Sequence, residues 1–133
     1  MNPVVHFEVP FDDSERAKTF YHTVFGWQMM DIPEMNYIIA RSAETDEQHM
    51  LKESGRINGG MLQRNDAVKS PIIVLDCKDL DAKLEEVVAA GGEVIVPKMT
   101  VGEMGWCAYV HDTEKNLIGV WQGSEKHEAK KDT

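Results

Sequence analysis

The sequence predicts an α+β domain made of two tandem copies of one strand-helix-strand-strand-strand unit. Three observations carry that expectation: a strand-like run at residues 4–9 and another at 72–77, a capped amphipathic helix after each, and helices about 66 residues apart in register. One such unit cannot cover its own sheet, so two must pack together.

The elements follow in order. Val5, Phe7 and Val9 alternate with Val4, His6 and Glu8, the period of a strand. Asp12, Asp13 and Ser14 are N-cap residues, and Glu15 stands three positions after Asp12 as in a capping box. Ala17, Phe20, Tyr21, Val24 and Phe25 form one helical stripe that Gly26 ends, and Phe20, Tyr21 and Phe25 are expected in the core. Strands are expected over Trp27–Ile32, Tyr37–Ala40 and Ile57–Gln63. In the second half, Ile72–Cys77 is a strand, Asp79 a cap, and Leu80, Leu84, Val87 and Val88 a stripe ending at Gly91 and Gly92. Strands over Glu93–Val96, Trp106–His111 and Leu117–Trp121 complete the repeat.

A length of 133 residues suits one domain, here residues 1–122, with one module over 1–65 and the other over 70–122. The remainder, 123–133, is a charged stretch without apolar periodicity and is expected to be disordered. Ser42–Gly55 is a polar loop of the first module. His49 and His127 lie in these stretches and His22 and His111 lie off the apolar stripes, so all four are expected at the surface.

Charged residues make up 28% and hydrophobic ones 42%, an ordinary globular balance. No apolar run is long enough to cross a bilayer, and the N-terminal stretch lacks the basic and apolar regions of a signal peptide. A soluble, cytoplasmic protein is the expectation. The formal charge of -9 repels phosphates and anionic lipid, excluding nucleic acid and membrane as partners while permitting a cationic ligand. Cys77 and Cys107 are too few for a disulfide framework or a four-thiolate metal site, and both read as small buried hydrophobes. Gly59, Gly60, Gly91 and Gly92 lack phosphate-loop spacing and read as bends and a helix stop.

The segments HFEVPFDDSERAKTFYHTVFGWQ, INGGMLQR, KDLDAKLEEVVAAGGEVIVPK and GWCAYVHDTEKNLIGVWQ together resemble the glyoxalase, bleomycin-resistance and dioxygenase superfamily, the vicinal oxygen chelate proteins. The resemblance spans nearly the whole chain. It implies that paired βαβββ modules form a curved mixed sheet enclosing a cup-shaped cavity, which in the enzymes holds a divalent metal. It also implies a homodimer, with modules pairing within or between chains.

The superfamily's metal ligands come from the first and last strand of each module. By that resemblance His6 is the one clear ligand, Ile72 and Gly119 stand where a histidine and a glutamate are expected, and Gln63 is a weak fourth. A catalytic metal generally needs three protein ligands, so no cofactor is assigned, although a divalent metal remains an option.

By alternation, Leu117, Gly119 and Trp121 would line the cup, joined by Ile72 and Val74, with glycine at 119 opening room. Trp106 and Tyr109 point to opposite faces, so one of the two can join the wall; Trp27 is a further candidate. Polar groups would be His6, Glu8, Gln63 and Asp76, and the candidate ligand-binding set is His6, Gln63, Ile72, Val74, Trp106, Leu117, Gly119 and Trp121. His6 and Glu8 lie two apart on one strand, the pair best suited to catalysis, with Glu8 orienting His6 as a general base.

Two functions are therefore weighed. The first is binding of a small, largely apolar molecule without a metal, for sequestration, resistance or sensing. The second is a glyoxalase-like lyase, isomerase or dioxygenase with an atypical metal site or with His6 as base. An assembly module whose cup is filled by its own side chains is a third possibility.

Overall fold

In a computed structural model, residues 1–48 and 50–124 are described. His49 and His127, and all of the charged stretch beyond Ser124, fall outside them. The first module runs β1 (Val4–Phe11), α1 (Ser14–Phe25), β2 (Gln28–Ile32), a 3-10 turn (Pro33–Met35), β3 (Tyr37–Arg41) and β4 (Gly59–Gln63). The second runs β5 (Ile72–Asp76), α2 (Leu80–Ala89), β6 (Glu93–Val101), β7 (Gly105–His111) and β8 (Leu117–Gly123). The chain divides into two compact units, His6–Ile72 and the segment from Ile73 onward together with Met1–Val5.

Both modules weave their strands identically. β1 pairs with β4 in parallel, β4 with β3 and β3 with β2 antiparallel. Likewise β5 pairs with β8 in parallel, β8 with β7 and β7 with β6 antiparallel. The expected α+β class and tandem βαβββ order are thus present. β6 is longer than expected and carries register irregularities between Val94 and Val96 and between Val96 and Met99.

Helix starts follow the sequence closely. Asp13 caps α1, accepting from the Arg16 amide at 3.1 Å, and Asp79 caps α2, accepting from the Ala82 amide at 3.1 Å. The expected capping box does not form: the cap is Asp13, not Asp12, with Arg16 three positions on, and Glu15 instead pairs with Lys18 at 2.8 Å. Gly26 ends α1 at φ 73, a conformation that favours glycine.

Each helix packs on one face of its own sheet. Phe11, Ile38, Ala40 and Met61 form the first core with Val9, Ala17, Tyr21, Trp27 and Met29 against them. Cys77, Leu80, Ala108, Val110 and Val120 form the second, with Leu84, Val87, Trp106 and Ile118. Only the middle of the α1 stripe is covered. Ala17 and Tyr21 lie on the sheet, whereas Phe20, Val24 and Phe25 remain 52%, 57% and 60% exposed, so the expectation that both phenylalanines are core is corrected. A four-stranded sheet covers a narrower arc than the five-residue stripe spans, and the outer phenylalanines pack edge-on as rings instead. Val88 is similarly exposed on α2.

β8 runs to Gly123, one residue into the expected tail, and Ser124 is fastened by its amide to Met104 O and by its hydroxyl to Glu103 O, both at 2.8 Å.

Candidate ligand site

Because each helix covers one face of its sheet, strand alternation turns every second side chain to the opposite face. In the first sheet that face carries His6, Glu8 and Pro10 from β1, Gly60 and Leu62 from β4, and Tyr37, Ile39 and Arg41 from β3. In the second it carries Val74 and Asp76 from β5, Leu117, Gly119 and Trp121 from β8, and Cys107 and Tyr109 from β7.

His6 is partly buried, and burial holds its imidazole well below the usual range, at about 4, so it is neutral at ordinary pH. Its Nε2 is 2.8 Å from the Tyr37 hydroxyl, a hydrogen bond in which the tautomer decides which partner donates. The two rings lie nearly parallel, 19° apart, with centroids at 6.5 Å. Tyr37 reaches His6 across β4, and Gly60 makes this possible: a β-carbon there would collide with the Tyr37 ring and hydroxyl. Tyr37 opens β3 directly after Asn36, whose left-handed φ of 50 ends the 3-10 turn. The sequence reading missed Tyr37; its signal is a tyrosine beside a paired-strand glycine on the face that carries His6.

Glu8 is 4% exposed, the one buried charged residue among those described, and it shares the His6 face as alternation requires. Glu8 makes interactions of its own, so it is not a spare carboxylate.

The repeat identifies equivalent positions. The caps Asp13 and Asp79 are 66 residues apart, which matches His6 with Ile72, Glu8 with Val74 and Pro10 with Asp76. Glu8 pairs with Gly60 as Val74 pairs with Gly119, so Gly60 and Gly119 occupy the same place. Gln63 then matches Gln122, and both tie the end of the last strand to the start of the helix. The Gln63 amide donates to Phe11 O at 3.2 Å and Asp12 O at 3.4 Å, and Gln122 Oε1 accepts from the Leu80 amide at 2.8 Å. Gln63 lies on the helix face with Phe11 and Met61, so the structure separates it from His6.

Three further expectations are refined. Trp106 lies on the helix face, packed against the second core with the Lys98 ammonium 5.2 Å from its ring centroid, so Tyr109 is the residue of that pair on the opposite face. Trp27 also belongs to the core side, stacked on Tyr21 at 4.6 Å. Glycine at 119 does not leave space, because a β-carbon there would come within 2.9 Å of Val74 Cγ2. Ile72 and Val74 are buried, at 2% and 6% exposure. Cys77 is a buried thiol whose pKa burial pushes up, as a small hydrophobe would be.

A divalent metal at the superfamily positions does not fit these residues. Gly60, Ile72 and Gly119 have no donor side chain, and His6 Nε2 is engaged by Tyr37. No group of three histidine, cysteine, aspartate or glutamate side chains among the described residues is arranged to hold a metal ion.

The bleomycin resistance protein-like N-terminal family matches residues 4–40. Two mycobacterial proteins named "Putative glyoxylase CFP32", from Mycobacterium tuberculosis and Mycobacterium bovis, are each 27% identical over 112 residues, 84% of this chain. A glyoxalase/bleomycin resistance protein/dioxygenase superfamily member from Vibrio splendidus superposes with a TM-score of 0.60 at 12% identity, over 93% of this chain and all of its own. The chain is similar to members of the glyoxalase/bleomycin resistance/dioxygenase superfamily in its N-terminal segment, in its relatives and in its fold. A methylmalonyl-CoA epimerase complexed with methylmalonyl-CoA has the same fold, with a TM-score of 0.64 at 17% identity over 94% of this chain and 96% of the epimerase. At such identities the likeness is one of fold. The chain spans 42% of the length of its curated mycobacterial relatives. No helix among the described residues is long and apolar enough to cross a membrane.

Proposed function

We propose that this protein binds a small, largely apolar molecule against the sheet faces opposite its helices, without a tightly held metal. The observation that carries this reading is the His6–Tyr37 hydrogen bond over Gly60, which commits the remaining superfamily ligand to a phenol. On the first sheet the proposed contact is His6; on the second the proposed contacts are Ile72, Val74, Leu117, Gly119 and Trp121, with Tyr109 in place of Trp106. Apolar and aromatic side chains with a few polar groups are the usual lining of a small-molecule site. Sequestration, resistance or sensing in the cytoplasm is the proposed role, and a second copy of this chain is the proposed partner, in keeping with relatives more than twice the matched length.

Two measurements test the reading. The purified protein should retain well under one equivalent of divalent metal after chelation and keep its fold, and a thermal-shift screen of small apolar compounds should yield ligands that raise its midpoint by mass action. Retention of one metal equivalent through chelation, or unfolding when stripped, would overturn it.

A metal-free glyoxalase-like enzyme is the second reading, favoured by the neutral His6 imidazole against a hydroxyl. His6 would accept a substrate proton, with Glu8 on the same face. A pKa near 4 makes it a weak base at neutral pH, which ranks this reading below the first. If a His6→Ala variant kept its fold and every measurable turnover, His6 would have no such role.

A further inference from the structure

We infer that Asp76 is an anionic anchor on the face of the second sheet opposite α2, recognising the protonated amine of a small aromatic or apolar ligand. The inference rests on the small-molecule reading above and names the ligand class. Asp76 Oδ1 is buried and accepts no hydrogen bond from any described residue. A buried carboxylate oxygen without a donor is costly, and folded proteins rarely keep one unless something else supplies the donor.

The strand end that carries the side chain is also fixed in place. The Asp76 amide donates to Pro3 O at 2.9 Å and the Asp76 carbonyl accepts from Asn2 Nδ2 at 2.9 Å, so the end of β5 is pinned through its main chain. In register, Asp76 stands beside Trp121, and Trp121 beside Cys107. The indole leans over Gly105, where a β-carbon would come within 2.9 Å of Cζ2. A carboxylate beside an indole suits an ammonium twice, through a charge-assisted hydrogen bond and through attraction to the ring face. The net charge of -9 also attracts cationic ligands.

The repeat argues against a purely structural role. At the equivalent place in the first module stand Pro10 and Leu62, both apolar, so the fold needs neither the carboxylate nor the indole there.

The test is an NMR titration of the full chain with benzylammonium, benzyl alcohol and phenylacetate. It follows the Trp121 indole N–H, assigned with Trp121→Phe, and the Val74 and Gly119 amides. Benzylammonium should saturate these shifts at a concentration at least tenfold below the other two. Asp76→Asn, or Asp76→Ser should Asn fail to fold, should abolish that preference with the remaining spectrum intact. Equal binding of all three probes, or a preference that survives both substitutions, would overturn the anchor and leave the small-molecule reading standing. Absence of any shift with all three probes would also overturn the anchor, and the thermal-shift screen would then decide the broader reading separately.

Discussion

The phenol of Tyr37 lies across the α-carbon of Gly60, in the volume that a side chain at position 60 would need. Glycine, phenol and imidazole are therefore one assembly, and disturbing any member should be felt at His6.

Gly60→Ala should lower unfolding stability by about 1–3 kcal/mol, since overpacking must push the Tyr37 ring aside. Gly119→Ala meets only the Val74 side chain and should cost less, about 1 kcal/mol or below, with Val74→Ala relieving that clash. Urea unfolding of the two single variants and of the Gly119/Val74 pair checks the order. Equal losses at 60 and 119 would show that the Tyr37 ring moves as easily as a methyl.

Tyr37→Phe removes the partner of His6 Nε2 and keeps the ring. A loss of about 1 kcal/mol is expected, the net worth of a partly buried hydrogen bond, together with a changed Nε2 resonance in nitrogen-detected spectra of His6. An unchanged Nε2 signal would rule out the contact.

Acid should destabilise the fold through His6. Its folded pKa of about 4 lies below the ordinary 6.5, so the unfolded chain takes up the proton first. Stability is then full above about pH 6.5, falls as pH drops toward 4, and loses up to about 3 kcal/mol from this group. A His6→Gln variant, compared by urea unfolding between pH 4 and 7, should show a shallower decline; parallel curves would contradict the assignment.

Phe20→Ser and Phe25→Ser should each cost little, about 1 kcal/mol or less, because both rings are more than half exposed. Tyr21→Ala should cost about 2–4 kcal/mol, since Tyr21 packs on the sheet and stacks on Trp27. Thermal melts of the three variants check this, and comparable losses would place the phenylalanines in a covered surface.

Much of the architecture was legible because local rules and tertiary packing agree. Val5, Phe7 and Val9 alternate as the sheet requires, and Asp13, Gly26 and Asp79 punctuate helices at or within a residue of the expected places. The site was legible only in part. Alternation correctly put His6 with Glu8 and Gly119 with Trp121, but it cannot say which of two faces a helix will cover, so Trp106 was read with the wrong partners. Gln63 was misjudged because its role appears only beside Gln122, once strand register aligns the modules. Tyr37 was invisible because it meets His6 across an intervening strand, a relation no sequence period encodes.

β6 pairs with β7 alone among the described residues, and it combines two register slips with Pro97 in its midst. Proline offers no amide hydrogen, and each slip breaks the even ladder that an incoming strand would have to copy. That rim is therefore a poor template for polymerisation. Straightening it, by replacing Pro97 with a β-branched residue, would remove a safeguard against fibrils without touching the side chains of the candidate site.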